Sequence, residues 1–321
     1  MNTINQANSP VKIVLKMASR TTKQLVLANP PTGLPVFSGP NATFELQTVT
    51  LPQLKKGKLL CKVHAFSNDA GQRGFIQSTV SDERLYAPPV HVGSPIRSGV
   101  IAEVLETKSS KIKECQPLAP LPNGLSLTHY VGAFGGSGLT AYTGLLYAGG
   151  AKRDSDQTIV VSAAAGAMGS IAVQVAAKIF KVKRVIDDLK AATPDEVDIY
   201  FDNVGGPILD ALLPRMKRLG RGTIAVCGAV AQYNADGKAM ELHNWCEVFS
   251  ARITIKGFIM FDYLENVPAA LQEMIAAAAD GRLDLSDAET VVEGPLEKQP
   301  EIWTRLFTGD NKGRLVTKLV A

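Results

Sequence analysis

With 321 residues, 45% of them hydrophobic, and a mean hydropathy of +0.06, the chain has the size and balance of a globular enzyme of about two domains. Its formal charge of +4 is spread over 34 basic and 30 acidic side chains with no basic stripe, which argues against a nucleic-acid partner. No apolar run approaches the roughly 20 residues that would span a bilayer. The cysteines at 61, 115, 227 and 246 lack the CxxC pairing of zinc or redox sites and suit a reducing, cytoplasmic compartment.

The first 44 residues contain no Asp or Glu, and Lys12, Lys16, Arg20 and Lys23 make this end basic. With one arginine and a short apolar pattern, it fits a mitochondrial presequence less well than a disordered extension over residues 1–16, ahead of a second possible start at Met17. From Gln24 to Glu106, short β-rich runs broken by Pro and Gly (LVLANPPTGLP, TFELQTV, GKLLCKVHAF, SGVIAEVLET) predict a small antiparallel β domain. Cys61 and His64 fall within one of these runs, where a strand explains both, so no metal site is expected. Leu127 to Gly150 mixes small and aromatic residues and reads as a helical connection.

An α/β pattern then begins. Thr158 to Ser162 is a β-branched run suited to a strand buried on both faces; Gly166 and Gly169 open a helix whose apolar positions Ile171, Val175 and Ile179 share one side. Such a strand, glycine turn and helix form a dinucleotide-binding junction, where a pyrophosphate reaches free backbone N–H groups and the positive end of the helix dipole. The usual GxGxxG fingerprint here has Ala164 in its first place. Further strands are expected near Val182 to Ile186, Val197 to Asn203, Gly222 to Cys227 and Arg252 to Phe258, with helices after the first, third and fifth strands, the last of them from Val267 to Asp280. The tail from Glu289 to Val320 returns to β character. The expected class is α/β: a doubly wound parallel sheet over 129–284, inserted in a β domain built from 17–128 and 285–321.

From end to end the chain resembles the zinc-independent medium-chain dehydrogenase/reductases that reduce enone and enal double bonds, a group including leukotriene B4 12-hydroxydehydrogenase/prostaglandin reductase, plant alkenal double-bond reductases and bacterial curcumin reductase. The segments that carry the resemblance are PPTGLP (30–35), SNDAGQRG (67–74), APPVHVGSPIRSGVIAEVLE (87–106), LTHYVGAFGGSGLTAYTGLL (127–146), AAAGAMGS, DNVGG (202–206), CGAVAQYN (227–234), KGFIMFDY (256–263) and FTGDNKGRLV (307–316). The resemblance implies a Rossmann-type sheet with a GroES-like β domain, NADPH as cofactor, a small enone or enal substrate and a homodimer. It implies that Gly166, Ala167, Met168 and Gly169 cradle the pyrophosphate and that Asn203 sits by the cofactor. It further implies that the loop from Cys227 through Gly228 and Ala229 to Tyr233 lines the cofactor path, that Phe258, Ile259 and Met260 flank the nicotinamide, and that Asn311 hydrogen-bonds near it. Tyr233 matches the tyrosine assigned to the reacting carbonyl. Arg73 is left open between substrate binding and a surface position.

Two departures stand out. KSSKIK runs directly into ECQPLAPLPNG, so about one strand pair of the β domain is missing relative to relatives. Between Val182–Ile186 and VDIYFDN only Asp187 to Glu196 intervene, whereas each crossover with its helix needs roughly 10 to 12 residues, so a strand and a helix are missing with the 2′-phosphate ligands they would carry. Asp187 stands where an acid would bind a ribose 2′-hydroxyl and favour NAD, but the resemblance places it at the start of a later helix. Relatives carry a tyrosine where this chain has Gly71. The function expected is NADPH-dependent reduction of the C=C bond of α,β-unsaturated ketones or aldehydes. A quinone oxidoreductase of the same superfamily and a catalytically silent nucleotide-binding paralogue stay open as alternatives.

Overall fold

The computed structural model describes residues 20–77, 81–109, 119–182, 184–186, 196–235, 238 and 240–320. The expected extension, Cys115 and Asp187 lie outside them. β1 (Thr21–Leu27) pairs antiparallel with β2 (Phe44–Thr50), setting Leu27 opposite Phe44. β3 (Leu59–Ser67) is followed by the single-turn helix α1 (Gln72–Phe75) and pairs antiparallel with β4 (Val100–Thr107). α2 (Gly136–Thr143) then continues into a π turn over Gly144–Ala148.

The α/β segment runs β5 (Thr158–Val161), α3 (Ala167–Gln174), β6 (Arg184–Ile186), β7 (Ile199–Asp202), α4 (Gly206–Leu212), β8 (Thr223–Val226), α5 (Cys246–Ser250), β9 (Thr254–Gly257) and α6 (Val267–Ala279). The chain closes with β10 (Glu289–Gly294), α7 (Gln299–Thr304) and β11 (Arg314–Leu319).

All pairs in the larger sheet are parallel, in the order β6-β5-β7-β8-β9. β5 and β7 are buried along their whole length, because their apolar runs meet helices on both faces. Alternation divides them: Ile159, Val161, Ile199 and Phe201 join α2, α3 and α6 in one core, while Val160, Tyr200 and Ile224 join Leu209 and Leu212 of α4 in the other. Ile171, Val175 and Ile179 are all buried, as their spacing predicts, although the helix widens to a π turn from Val175. The order of connection reverses between β5 and β7, and the crevice at such a reversal is where open α/β sheets bind ligands. Among the described residues no strand lies beyond β6, and residues 187–195 before β7 lie outside them.

β10 and β11 return to the β domain in the order β10-β11-β3-β4. The run from Gln24 to Glu106 pairs antiparallel as expected, and the tail adds one parallel pair. β10 and β11 run parallel, because the crossover through α7 brings the chain back in the same direction. The short helix α5 was not expected either.

Candidate active site

The loops at the carboxyl ends of β5, β7 and β8 form one hydrogen-bonded unit. After β5 the chain turns through Ala163 in the left-handed region (φ 52°), and the Gly166 N–H donates to the Ala163 carbonyl at 2.9 Å before α3 begins. Gly169 packs against this turn so closely that a Cβ would stand 2.2 Å from the Ala163 carbonyl oxygen. A turn whose backbone is this bare, ending on a helix N-terminus, fits a pyrophosphate.

Ser162 ties this turn to β7. The Asn203 N–H donates to Ser162 Oγ at 2.9 Å, and Asn203 Nδ2 donates to the Ser162 carbonyl at 2.7 Å. Asp202, 1% exposed, accepts at Oδ1 from the Tyr200 hydroxyl at 2.8 Å, Val204 N at 3.0 Å and Gly205 N at 2.8 Å. Its backbone carbonyl receives Cys227 N at 2.8 Å and Gly228 N at 3.1 Å, so the β8 loop hangs from the DNVGG turn. Cys227 Sγ also lies 2.8 Å from Met168 Sδ, joining that loop to the glycine turn.

Tyr233 folds back over the β8 loop, its hydroxyl 3.5 Å from the Ala229 N–H and 3.3 Å from where a Cβ on Gly228 would sit. Burial raises the Tyr233 pKa despite the opposing Ala229 N–H, so the phenol stays protonated and able to donate. Tyr86 comes close from the β domain: its hydroxyl is 3.4 Å from the space a Gly71 side chain would take. Its pKa is pushed up to about 12 by burial and by the charges of Asp69, Tyr233 and Cys227. Burial works against ionisation of Asp69, but Arg314 Nη1 at 2.9 Å and the Gly71 N–H at 2.7 Å outweigh it and hold the carboxyl below its usual range. Arg314 also reaches Ser67 Oγ at 2.8 Å and Ser137 Oγ at 2.9 Å.

Most of the expected site residues therefore converge: Gly166 to Gly169, Asn203 and Cys227 to Tyr233 meet at the strand ends. Asn311 arrives on the far side, donating from Nδ2 to the Gly313 carbonyl at 2.9 Å, while Gly313 N donates to the Ala165 carbonyl at 2.9 Å. Phe258 stands apart from the others. Its ring is buried between Phe201 and Tyr263 and fills the space beside Gly144, where a Cβ would come within 2.2 Å of Phe258 Cζ, which leaves its backbone for any ligand. Ile259 N is held by Asp262 Oδ2 at 3.0 Å, and Met260 packs on the core. Arg73 is fully buried and does not solvate a surface, and its Nη1 has no hydrogen-bond partner among the described residues. Tyr86, Asp69 and Arg314 escaped the sequence reading, although Asp69 and Arg314 lie inside two of the segments that carried the resemblance. Among the described residues no cluster of three His, Cys, Asp or Glu is placed to hold a metal ion.

Residues 23–118 match the model of the N-terminal domain of oxidoreductase. The putative NADP-dependent oxidoreductase YfmJ of Bacillus subtilis is 32% identical, over 92% of this chain and 97% of its own. The chain belongs to the zinc-independent medium-chain dehydrogenase/reductases. Other relatives are prostaglandin reductase 1 of Mus musculus, 31% identical over 87% of this chain and 94% of its own, and the NADP(+)-dependent 2-alkenal reductase of Nicotiana tabacum, 31% identical over 92% and 97%. Among solved structures, CurA of Vibrio vulnificus in complex with NADPH superposes with a TM-score of 0.76, at 26% identity, covering 94% of this chain and 100% of that one. The fold is that of the medium-chain dehydrogenase/reductases, a Rossmann-type parallel sheet with a GroES-like β domain, and no helix among the described residues is long and apolar enough to cross a membrane.

Proposed function

We propose that this oxidoreductase reduces the C=C bond of α,β-unsaturated ketones or aldehydes with NADPH. The observation that carries the reading is Tyr233: a phenol kept protonated by burial, in a loop suspended from Asp202, at the strand ends beside the glycine turn. Its relatives named prostaglandin reductase and 2-alkenal reductase support the choice of substrate class.

Bound NADPH would supply the hydride that adds to the substrate's β-carbon. Gly166, Ala167, Met168 and Gly169 would hold its pyrophosphate at the start of α3. Asn203, Cys227, Gly228 and Ala229 would line its path, with Ile259, Met260 and the backbone of Phe258 beside the nicotinamide and Asn311 at its edge. As charge moves to the substrate's carbonyl oxygen, the Tyr233 hydroxyl donates a hydrogen bond to the forming enolate. One such donor in a dry site contributes about 3 kcal/mol. A proton taken up from solvent at the α-carbon completes the reaction, so that one hydride and one proton have been added across the C=C bond. The enzyme is expected to act as a homodimer.

The test is oxidation of NADPH and NADH by the purified chain against a panel of enals, enones and quinones. Oxidation with enals or enones, leaving a saturated carbonyl product, supports the reading. Turnover with quinones alone reassigns the substrate, and saturable NADPH binding without turnover on any of them makes the chain a silent binder.

A further inference from the structure

The β domain contains a cavity of about 230 Å³. Its apolar wall comes from Leu25 of β1, Phe44 of β2, Phe66 of β3, Ile76 just after α1, Ile96 and Trp303 of α7. Phe44 and Trp303 meet edge to face, with ring centroids 6.2 Å apart. None of the residues proposed above to hold cofactor or substrate lines it.

Gln299 of α7 also borders it, donating from Nε2 to Asn68 Oδ1 at 2.7 Å while its buried Oε1 has no partner among the described residues. Three other bordering polar side chains are already occupied. Gln72 accepts from Asp69 N at 2.9 Å and donates to the Arg97 carbonyl at 2.6 Å, and Ser98 Oγ donates to the Ser67 carbonyl at 2.5 Å. Lys23 Nζ is held by Glu297 Oε1 at 2.6 Å, which neutralises the charge at the rim. A buried water needs two to four polar partners, and an apolar cavity of about 150 Å³ stays dry and takes up benzene. A space larger than that, walled mainly by aliphatic and aromatic side chains, with the single free amide oxygen of Gln299 and a charge-balanced rim, favours a neutral ligand over an anion or cation. The polar rim also sets it off from a continuous apolar strip of the kind a partner helix would need.

We propose that this cavity binds a compact, neutral, apolar molecule of one or two rings, independently of the nicotinamide site. The chain has two tryptophans, and Trp245 is 51% exposed, so Trp245→Phe leaves Trp303 as the only fluorescent indole. Bromobenzene, a heavy-atom quencher, titrated into that full-length variant is expected to quench Trp303 saturably. Excess toluene should reverse the effect, and benzoate, which has the same ring and a charge, should not compete. Filling the cavity by Ile96→Phe, or by Val63→Phe of β3, which also lines it, should the first variant fold poorly, is expected to weaken bromobenzene binding at least about tenfold. Linear quenching that toluene does not reverse overturns the proposal, as does equal competition by benzoate. So does unchanged binding in a filled variant whose melting temperature matches the parent. Saturable quenching that is lost whenever sedimentation shows self-association gives the cavity to a second copy of the chain and likewise overturns it.

Discussion

Arg73 Nε donates to Asn234 Oδ1 at 3.0 Å, fastening the β domain to the loop that carries Tyr233. The same guanidinium reaches from Nη2 to the carbonyls of Pro31 and Thr32 at 3.0 Å each and of Gly33 at 2.8 Å. No carboxylate among the described residues pairs with it, and burial lowers its pKa. Arg73→Met would leave these acceptors without their donor, so the urea midpoint should reveal a loss of about 2–4 kcal/mol. Asn234→Ala removes one bond and should lose about 1 kcal/mol. Stability of Arg73→Met within 0.5 kcal/mol of wild type, roughly the span of an ordinary surface substitution, would show that the clamp carries nothing.

Gly169 tests the cradle. Gly169→Val places a branched side chain where even a Cβ would lie 2.2 Å from the Ala163 carbonyl, so NADPH affinity should fall at least about tenfold, near 1.4 kcal/mol, and the α/β segment should melt earlier. Gly136→Ala is the matched control, since a Cβ there meets nothing within 4 Å. Isothermal titration of both variants decides it: unchanged affinity in Gly169→Val rules out this turn as the cofactor site.

Tyr233 separates chemistry from packing. Tyr233→Phe keeps the ring and removes the donor, so kcat should fall roughly 10- to 1000-fold with cofactor affinity nearly constant. A ring that only packs predicts normal turnover in the Phe variant and weaker NADPH binding in Tyr233→Ala.

Acid stability has one identifiable contributor. The Glu273 carboxylate receives two Arg153 bonds at 2.8 Å and another from the Tyr142 hydroxyl, and these donors hold its pKa below the ordinary 4.5 despite partial burial. A depressed carboxylate pKa adds stability above the unfolded value and loses it as pH falls through the folded one. Wild type should therefore lose up to about 1 kcal/mol relative to Glu273→Gln on acidification below pH 4.5, measured by urea unfolding at each pH. Parallel pH profiles for the two proteins would refute this.

The edge of the parallel sheet supplies a further expectation. β6 has a partner on one side only among the described residues, whereas β7 lies between β5 and β8. Amides of β6 should exchange with deuterium well before those of β7, because an edge strand opens without disturbing the sheet. Equal protection would point to a covering element.

The strands were legible where burial on both faces demanded it. Thr158–Val161 and Ile199–Asp202 are unbroken runs that no amphipathic surface element would show. Helices of five or six residues, such as Cys246–Ser250 and Gln299–Thr304, are too short for a period to declare itself. The direction of β10 against β11 depends on a crossover, which no local pattern encodes. In the candidate site the glycines were legible because a bare backbone is itself a sequence signal. The role of Arg73 was not, since the carbonyls that surround its guanidinium come from residues about 40 positions earlier and Asn234 from 161 later. Tyr86 was missed for a similar reason: only folding brings it over Gly71.

The bond from Gly313 N to the Ala165 carbonyl imposes an order in time. The glycine turn is translated near the middle of the chain, but its outer wall is supplied by a segment made nearly half a chain later. Gly313 fits there only without a side chain, since a Cβ would lie 2.2 Å from the Ala288 carbonyl. A nascent polypeptide released before that point could form the strand, the turn and the helix, yet their outer side would still face water. A contact so distant in sequence is slow to close, so the capacity to hold a nucleotide belongs among the last properties this chain acquires as it folds.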